Sequence, residues 1–283
     1  MFRPPIRVAG LLLALAATAA CSAEPVRIAL SFPFSGPFAI YGEVYLNEYR
    51  LFAEEINARG GVLGGRPFDI VPLDNKGSAQ EALGNLRTAT DLHAPFIVQG
   101  AGSHIALALS DGVARHNERE PGNRLLYLNQ SGDYDLANGN CSFWTFLFDA
   151  HTQMRMEALV SALVGRREIA SVFLINQDYA HGHNVSRQAK SALARLRPDV
   201  HVAGEVLHPL GKVKDFAPYV ARIKASGAQA VITGNWGSDL SLLVKAAAEA
   251  GLDVEFHTFY GSDPGVPTAL GAAAAGKVRS VYR

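Results

Sequence analysis

The chain has 283 residues, 48% of them hydrophobic, with 26 basic and 26 acidic side chains. That apolar share fills one large core or two medium ones, and zero formal charge with a pI near 7.1 gives a polyanionic partner such as nucleic acid no footing. There are two cysteines, Cys21 and Cys141, too few for a disulfide framework or a thiolate metal cluster.

The chain opens with Arg3 and Arg7, an apolar run from Val8 to Ala17, and the small residues Thr18-Ala19-Ala20-Cys21-Ser22-Ala23. This is the pattern of an export signal over 1–23, and the apolar run is short for a membrane span. Cleavage after Ala23 frees a soluble protein starting at Glu24, whereas cleavage before Cys21 leaves a lipid-bearing cysteine. Either way the destination is the periplasm, and Cys141 is left without an intrachain partner.

Val26 to Leu30 reads as a buried strand. It opens into Ser31-Phe32-Pro33-Phe34-Ser35-Gly36-Pro37-Phe38-Ala39-Ile40-Tyr41-Gly42. Tyr45, Tyr49, Phe52 and Ile56 then recur at helical spacing and predict a core-facing stripe, stopped by Arg59-Gly60-Gly61. Strand signals follow at Phe68–Leu73, Pro95–Val98 and Leu125–Leu128. The helix between the first two is announced by the capping box Ser78-Ala79-Gln80-Glu81, and a second helix fills His104 to about Asn117.

Asn138 to Asp149 breaks this rhythm with the aromatic run Phe143-Trp144-Thr145-Phe146 and reads as a connector between domains. Alternation resumes with strands at Ile169–Ile175, Val200–Leu207, Ala230–Thr233, Val254–Tyr260 and Val278–Tyr282, separated by helices. Strands alternating with helices imply parallel sheets covered on both faces. The expected fold is α/β in two lobes, each a doubly wound parallel sheet flanked by helices, over 24–145 and 146–277.

In such sheets ligands lie at the carboxyl ends of strands, where helix N-termini point. The loops there, 31–42, 100–104, 129–133, 176–182, 234–239 and 260–263, contain no Lys or Arg. They suit a small neutral, zwitterionic or amine-bearing solute better than a phosphate. Ser103 and backbone amides could meet a carboxylate, and one of Asp133, Asp178, Asp239 or Asp263 an amine; capping the next helix is the commoner role for any single Asp. Tyr41, Tyr179, Trp236 and Tyr260 all fall in these loops and suggest flat walls closing over a ligand.

Enzyme signatures are absent: there is no G-x-S-x-G elbow, P-loop or H-E-x-x-H. Gly100-Ala101-Gly102 has Ile105 where a dinucleotide fingerprint needs its third Gly, so no cofactor is expected. His181 and His183 lack a third metal ligand at a fitting spacing and read as a solvated helix start. His104 has no nucleophile beside it.

The motifs Ser35-Gly36-Pro37…Tyr41-Gly42, Glu55-Ile56-Asn57-Ala58-Arg59-Gly60-Gly61-Val62, Gly64-Gly65-Arg66, Asp74-Asn75, Asn176-Gln177-Asp178-Tyr179-Ala180-His181-Gly182 and Asp215-Phe216-Ala217-Pro218-Tyr219-Val220 occur in that order. The set resembles the periplasmic solute-binding proteins of branched-chain amino acid-type ABC transporters, from Glu24 to Arg283. The resemblance implies the two-lobed type I periplasmic binding fold and hinge closure over a small-molecule ligand, which is then presented to an ABC permease in the inner membrane. Carried over by position, Tyr41, Tyr179 and Trp236 line the cleft, Ser103 takes the ligand carboxylate, Asn129, Gln130 and Ser131 add backbone and hydroxyl contacts, and Asp263 meets the ammonium.

Gln130 and Gly132 depart from the small or threonine-like residues of leucine binders, so leucine itself is not the expected ligand. The family also continues beyond a strand like Val278–Tyr282, crossing back to the first lobe. Residues 278–283 are therefore expected to begin that crossing, with sheet edges and helix-docking surface left uncovered and stability reduced or self-association favoured. Two other functions fit the same sheets, a ligand sensor for a regulatory partner and an α/β enzyme such as a transferase or hydrolase.

Overall fold

The computed structural model describes residues 23–263 and 265–281. Apart from Ala23, the expected export signal with Cys21 lies outside the described residues, as do Tyr282 and Arg283. No helix among the described residues is long and apolar enough to cross a membrane.

The first lobe runs β1 (Val26–Phe32), α1 (Ala39–Ala58), β2 (Phe68–Asp74), α2 (Ala79–Asp91), β3 (Phe96–Gln99), α3 (Ser103–Arg119), β4 (Leu126–Asn129) and β5 (Thr145–Leu147). The second runs α4 (Thr152–Ser161), β6 (Ser171–Gln177), α5 (Ala180–Leu196), β7 (His201–His208), α6 (Ala217–Ser226), β8 (Ala230–Thr233), α7 (Ser238–Glu249), β9 (Glu255–Thr258), α8 (Val266–Leu270) and β10 (Val278–Ser280). The two sheets are ordered β2-β1-β3-β4-β5 and β10-β9-β8-β6-β7, and every pairing within them is parallel. Counted from each lobe's own first strand, both follow the order second, first, third, fourth, fifth. The strand order therefore reverses between β1 and β3 and again between β6 and β8. Such a reversal leaves a crevice outside the strand ends.

The burial pattern explains why these runs are strands. All seven residues of β6 are buried. Phe173 and Ile175 join one apolar cluster with α6 and α7, and Val172 and Leu174 join another with α4 and α5. A strand covered on both faces has no polar alternation to show. In the first lobe Ala29 faces a cluster with α2 and α3, while Leu30 and Phe32 face the junction of the lobes. The Ser78 hydroxyl caps α2 by accepting the Glu81 N–H at 3.5 Å, and α1 ends on Gly60 and Gly61 with φ of 100° and 72°.

Three expectations are corrected. Phe52 is 60% exposed, because the buried face of α1 runs through Gly42, Tyr45 and Ala53 and leaves Phe52 on its flank. β5 pairs with β4, so the first sheet extends to Leu147, two residues past the division expected after 145. Val278–Ser280 does not leave the second lobe; it pairs with Phe256–Thr258 as the outermost strand of the second sheet.

Candidate ligand-binding cleft

The loops at the two reversal points face each other. They enclose a cleft lined by Tyr41, Ser103, Gln130, Ser131, Tyr179, Trp236 and Asp263 among others. Seven of the eight residues proposed from the sequence thus meet in one place. The exception is Asn129, whose Oδ1 accepts from the Tyr127 hydroxyl at 3.1 Å and from the Ser131 N–H at 2.8 Å. It shapes the loop from behind instead of lining the cleft.

The aromatic wall is assembled from both lobes. Trp236 follows β8, and its Nε1 donates to the Tyr179 hydroxyl at 2.7 Å. Tyr41, on the first turn of α1, stands edge-on to the Trp236 ring with centroids 5.3 Å apart, and its hydroxyl accepts the Gly237 N–H at 3.3 Å. Burial, and then the Asp263 carboxylate, push the Tyr41 hydroxyl far above its ordinary value, so it stays a neutral donor. Ser103 is 3% exposed and opens α3 after Gly102, whose φ of 95° permits the turn. The first N–H groups of a helix attract a carboxylate.

Of the four loop aspartates, Asp263 lines the cleft. Asp133 accepts the N–H of Asp135 at 2.8 Å; burial raises its carboxyl pKa despite that bond and the nearby Ser103 hydroxyl. Asp178 pairs with His183 at 2.8 Å. Asp239 holds Gln177 Nε2 and the Gly211 N–H, each at 2.8 Å. Three of the four therefore serve local structure.

Sequence reasoning missed a cation. Although the strand-end loops contain none, Arg155 reaches the cleft from α4, 6% exposed, paired with Asp149 at 2.6 Å and donating through Nε to the Ala150 carbonyl at 2.8 Å. The signal was present: Thr152, Arg155, Met156 and Leu159 form the buried stripe of α4, and an arginine on such a stripe needs a buried partner.

His181 is also corrected. It is not a solvated residue but is 3% exposed and lines the cleft, with Nε2 3.1 Å from the Tyr260 hydroxyl. His183 turns away to Asp178, and among the described residues no group of three or more His, Cys, Asp or Glu could hold a metal. His104 packs edge-on against Tyr179 at 5.6 Å.

Burial, and then the Arg155 charge, hold the His181 imidazole down to about 3, against an ordinary 6.5. It is neutral in the folded protein above that value. The unfolded chain takes up this proton first as pH falls, so folding loses stability between 6.5 and 3. We expect His181→Gln to lose less stability than wild type between pH 7.5 and pH 4.5, by about 2–3 kcal/mol. Equal losses in urea unfolding at the two pH values would contradict this.

The sequence profile of the periplasmic binding protein family matches residues 25–282. The Leu/Ile/Val-binding protein homolog 4 of Brucella abortus is 34% identical over 270 residues, covering 95% of this chain and 64% of that protein. A crystal structure of the leucine-, isoleucine-, valine-, threonine- and alanine-binding protein of Brucella ovis, in a closed conformation, superimposes with a TM-score of 0.77 at 33% identity, over 89% of this chain and 64% of that one. A solute-binding protein of a Rhodopseudomonas palustris ABC transporter, solved with benzoate, shares the fold with a TM-score of 0.76 at 19% identity, over 88% of this chain and 66% of that one. The chain belongs to the periplasmic binding protein family. Its fold is the two-lobed type I arrangement, and it spans just under two thirds of the length of the two Brucella proteins.

Proposed function

We propose that this chain is the solute-binding component of an ABC importer, exported to the periplasm, where it holds a small amino acid or a related amide or organic solute in the interlobe cleft and hands it to a membrane permease. One observation carries most of this reading: loops at the reversal points of both sheets meet over one small cleft, and its walls combine aromatic rings with a helix N-terminus and a buried carboxylate. That is the arrangement a zwitterion needs.

In this reading Ser103 and the first turn of α3 take the solute's carboxylate, and Asp263 takes its ammonium. Tyr41, Tyr179 and Trp236 cover its body. Gln130 and Ser131 supply further polar contacts; Gln130 Oε1 and Ser131 Oγ are buried and have no hydrogen-bond partner among the described residues. Such atoms are costly unless something else bonds to them. Asn129 acts through the loop it braces.

A thermal-shift panel of amino acids, small amides and aromatic acids tests the reading. The compound giving the largest shift, titrated by calorimetry, should bind Ser103→Ala about tenfold more weakly, the loss of one hydrogen bond to a charged group. The variant should remain folded without solute. No shift with any compound, or equal affinity in the variant, would contradict the assignment.

A further inference from the structure

Phe38 lies outside the residues lining the cleft, yet it belongs to the loop that opens it. It ends the short 3₁₀ turn Gly36–Phe38 after β1, with Pro37 before it, and is 8% exposed. Part of its cover comes from the other lobe. The ring stacks on Trp236 with centroids 4.2 Å apart and planes at 28°. Gly211 and Gly237, both in the second lobe, stand so close that a Cβ on either would lie 3.0 Å from the ring. Both glycines have positive φ, 65° and 64°. On the first lobe's own side, a Cβ at Gly77 would lie 3.6 Å from it.

We propose that Phe38 is a closing latch: a positioning residue that seats in a socket formed by Gly211, Gly237 and Trp236, and so sets how much of the protein is closed without itself touching solute. Stacked aromatic pairs stabilise beyond the area they bury. Here both that gain and the burial of the Phe38 ring depend on the lobes being together. The seated ring also backs the face of Trp236, which Tyr179 holds by its Nε1 and Tyr41 meets edge-on. The apparent affinity of a cleft that binds solute in one state scales with the population of that state. An unlatched variant should therefore bind about tenfold more weakly or worse. Only this effect on affinity rests on the solute-binding reading, since the seating of Phe38 needs no solute.

Small-angle X-ray scattering tests the latch on wild type, Phe38→Ala, Phe38→Leu and Gly211→Ala, each freed of co-purified solute by unfolding in guanidinium, dialysis and refolding. The expected result is a wild-type radius of gyration matching the closed lobes, a larger one for Phe38→Ala and Gly211→Ala, and recovery toward wild type with Phe38→Leu. An open wild type would overturn the proposal. So would an unchanged radius in both Phe38→Ala and Gly211→Ala, including the case where the melting temperature falls, since that outcome marks a structural role alone. Because no solute is present, a failure here is distinct from a failure of the solute-binding reading.

Discussion

Trp236→Ala is expected to weaken solute binding by at least about a hundredfold while leaving each lobe folded. Trp236 is 6% exposed, but much of that burial comes from Phe38 and Tyr41 in the first lobe. The cost of truncation therefore falls mainly on the closed state. Removing a buried Trp costs about 3–5 kcal/mol, and the Tyr179 hydroxyl loses its donor as well. A loss of about 3 kcal/mol in the closed state corresponds to roughly two decades in affinity. Calorimetry against the best solute of the panel reads the affinity, and circular dichroism reads the fold. Affinity within threefold of wild type would remove Trp236 from the site.

The largest loss of stability is expected at Gly182. This residue lies in the first turn of α5, and a Cβ there would fall 1.8 Å from the Gln177 carbonyl oxygen at the end of β6. The obstacle is backbone, so no rotamer change relieves it, and either the helix or the strand end must move. Overpacking of this kind costs about 3 kcal/mol or more. For a chain of this size, Gly182→Ala should lower the melting temperature by roughly 10 °C. Because Tyr179 and His181 flank the displaced turn, solute binding should weaken as well. A melting temperature within 2 °C of wild type would contradict the close packing of α5 on β6.

Much of this arrangement was legible in the sequence because its causes are local. Ser78 with Glu81, the Gly60-Gly61 stop and the unbroken apolar run of β6 each declare an element within a few residues. Once the alternation of strands and helices implied parallel sheets, the strand-end loops followed as the place to look, and Tyr41, Ser103, Tyr179, Trp236 and Asp263 all lie there.

The misses share a different cause. Whether Phe52 is buried depends on which flank of α1 the sheet covers, and periodicity alone cannot separate neighbours at 49, 52 and 53. Asn129 occupies the right loop, but its amide turns to Tyr127 and Ser131. Arg155 reaches the cleft from a helix that follows the crossing between lobes, paired with Asp149 on that crossing. No inspection of strand-end loops could find it, although its place on an apolar stripe could. His181 resembles His183 in sequence; only the packing of α5 against Tyr260 separates a buried, neutral ring from an exposed one.

Native mass spectrometry of the chain purified without denaturation tests the central claim most directly, because a co-purifying solute is detected by its mass whatever its identity. The expected spectrum shows one small molecule per chain on wild type and its loss, or a marked reduction, on Trp236→Ala. A wild-type chain that carries nothing and takes up no member of the panel, or an adduct that survives Trp236→Ala in full, would contradict a solute-binding cleft between the lobes.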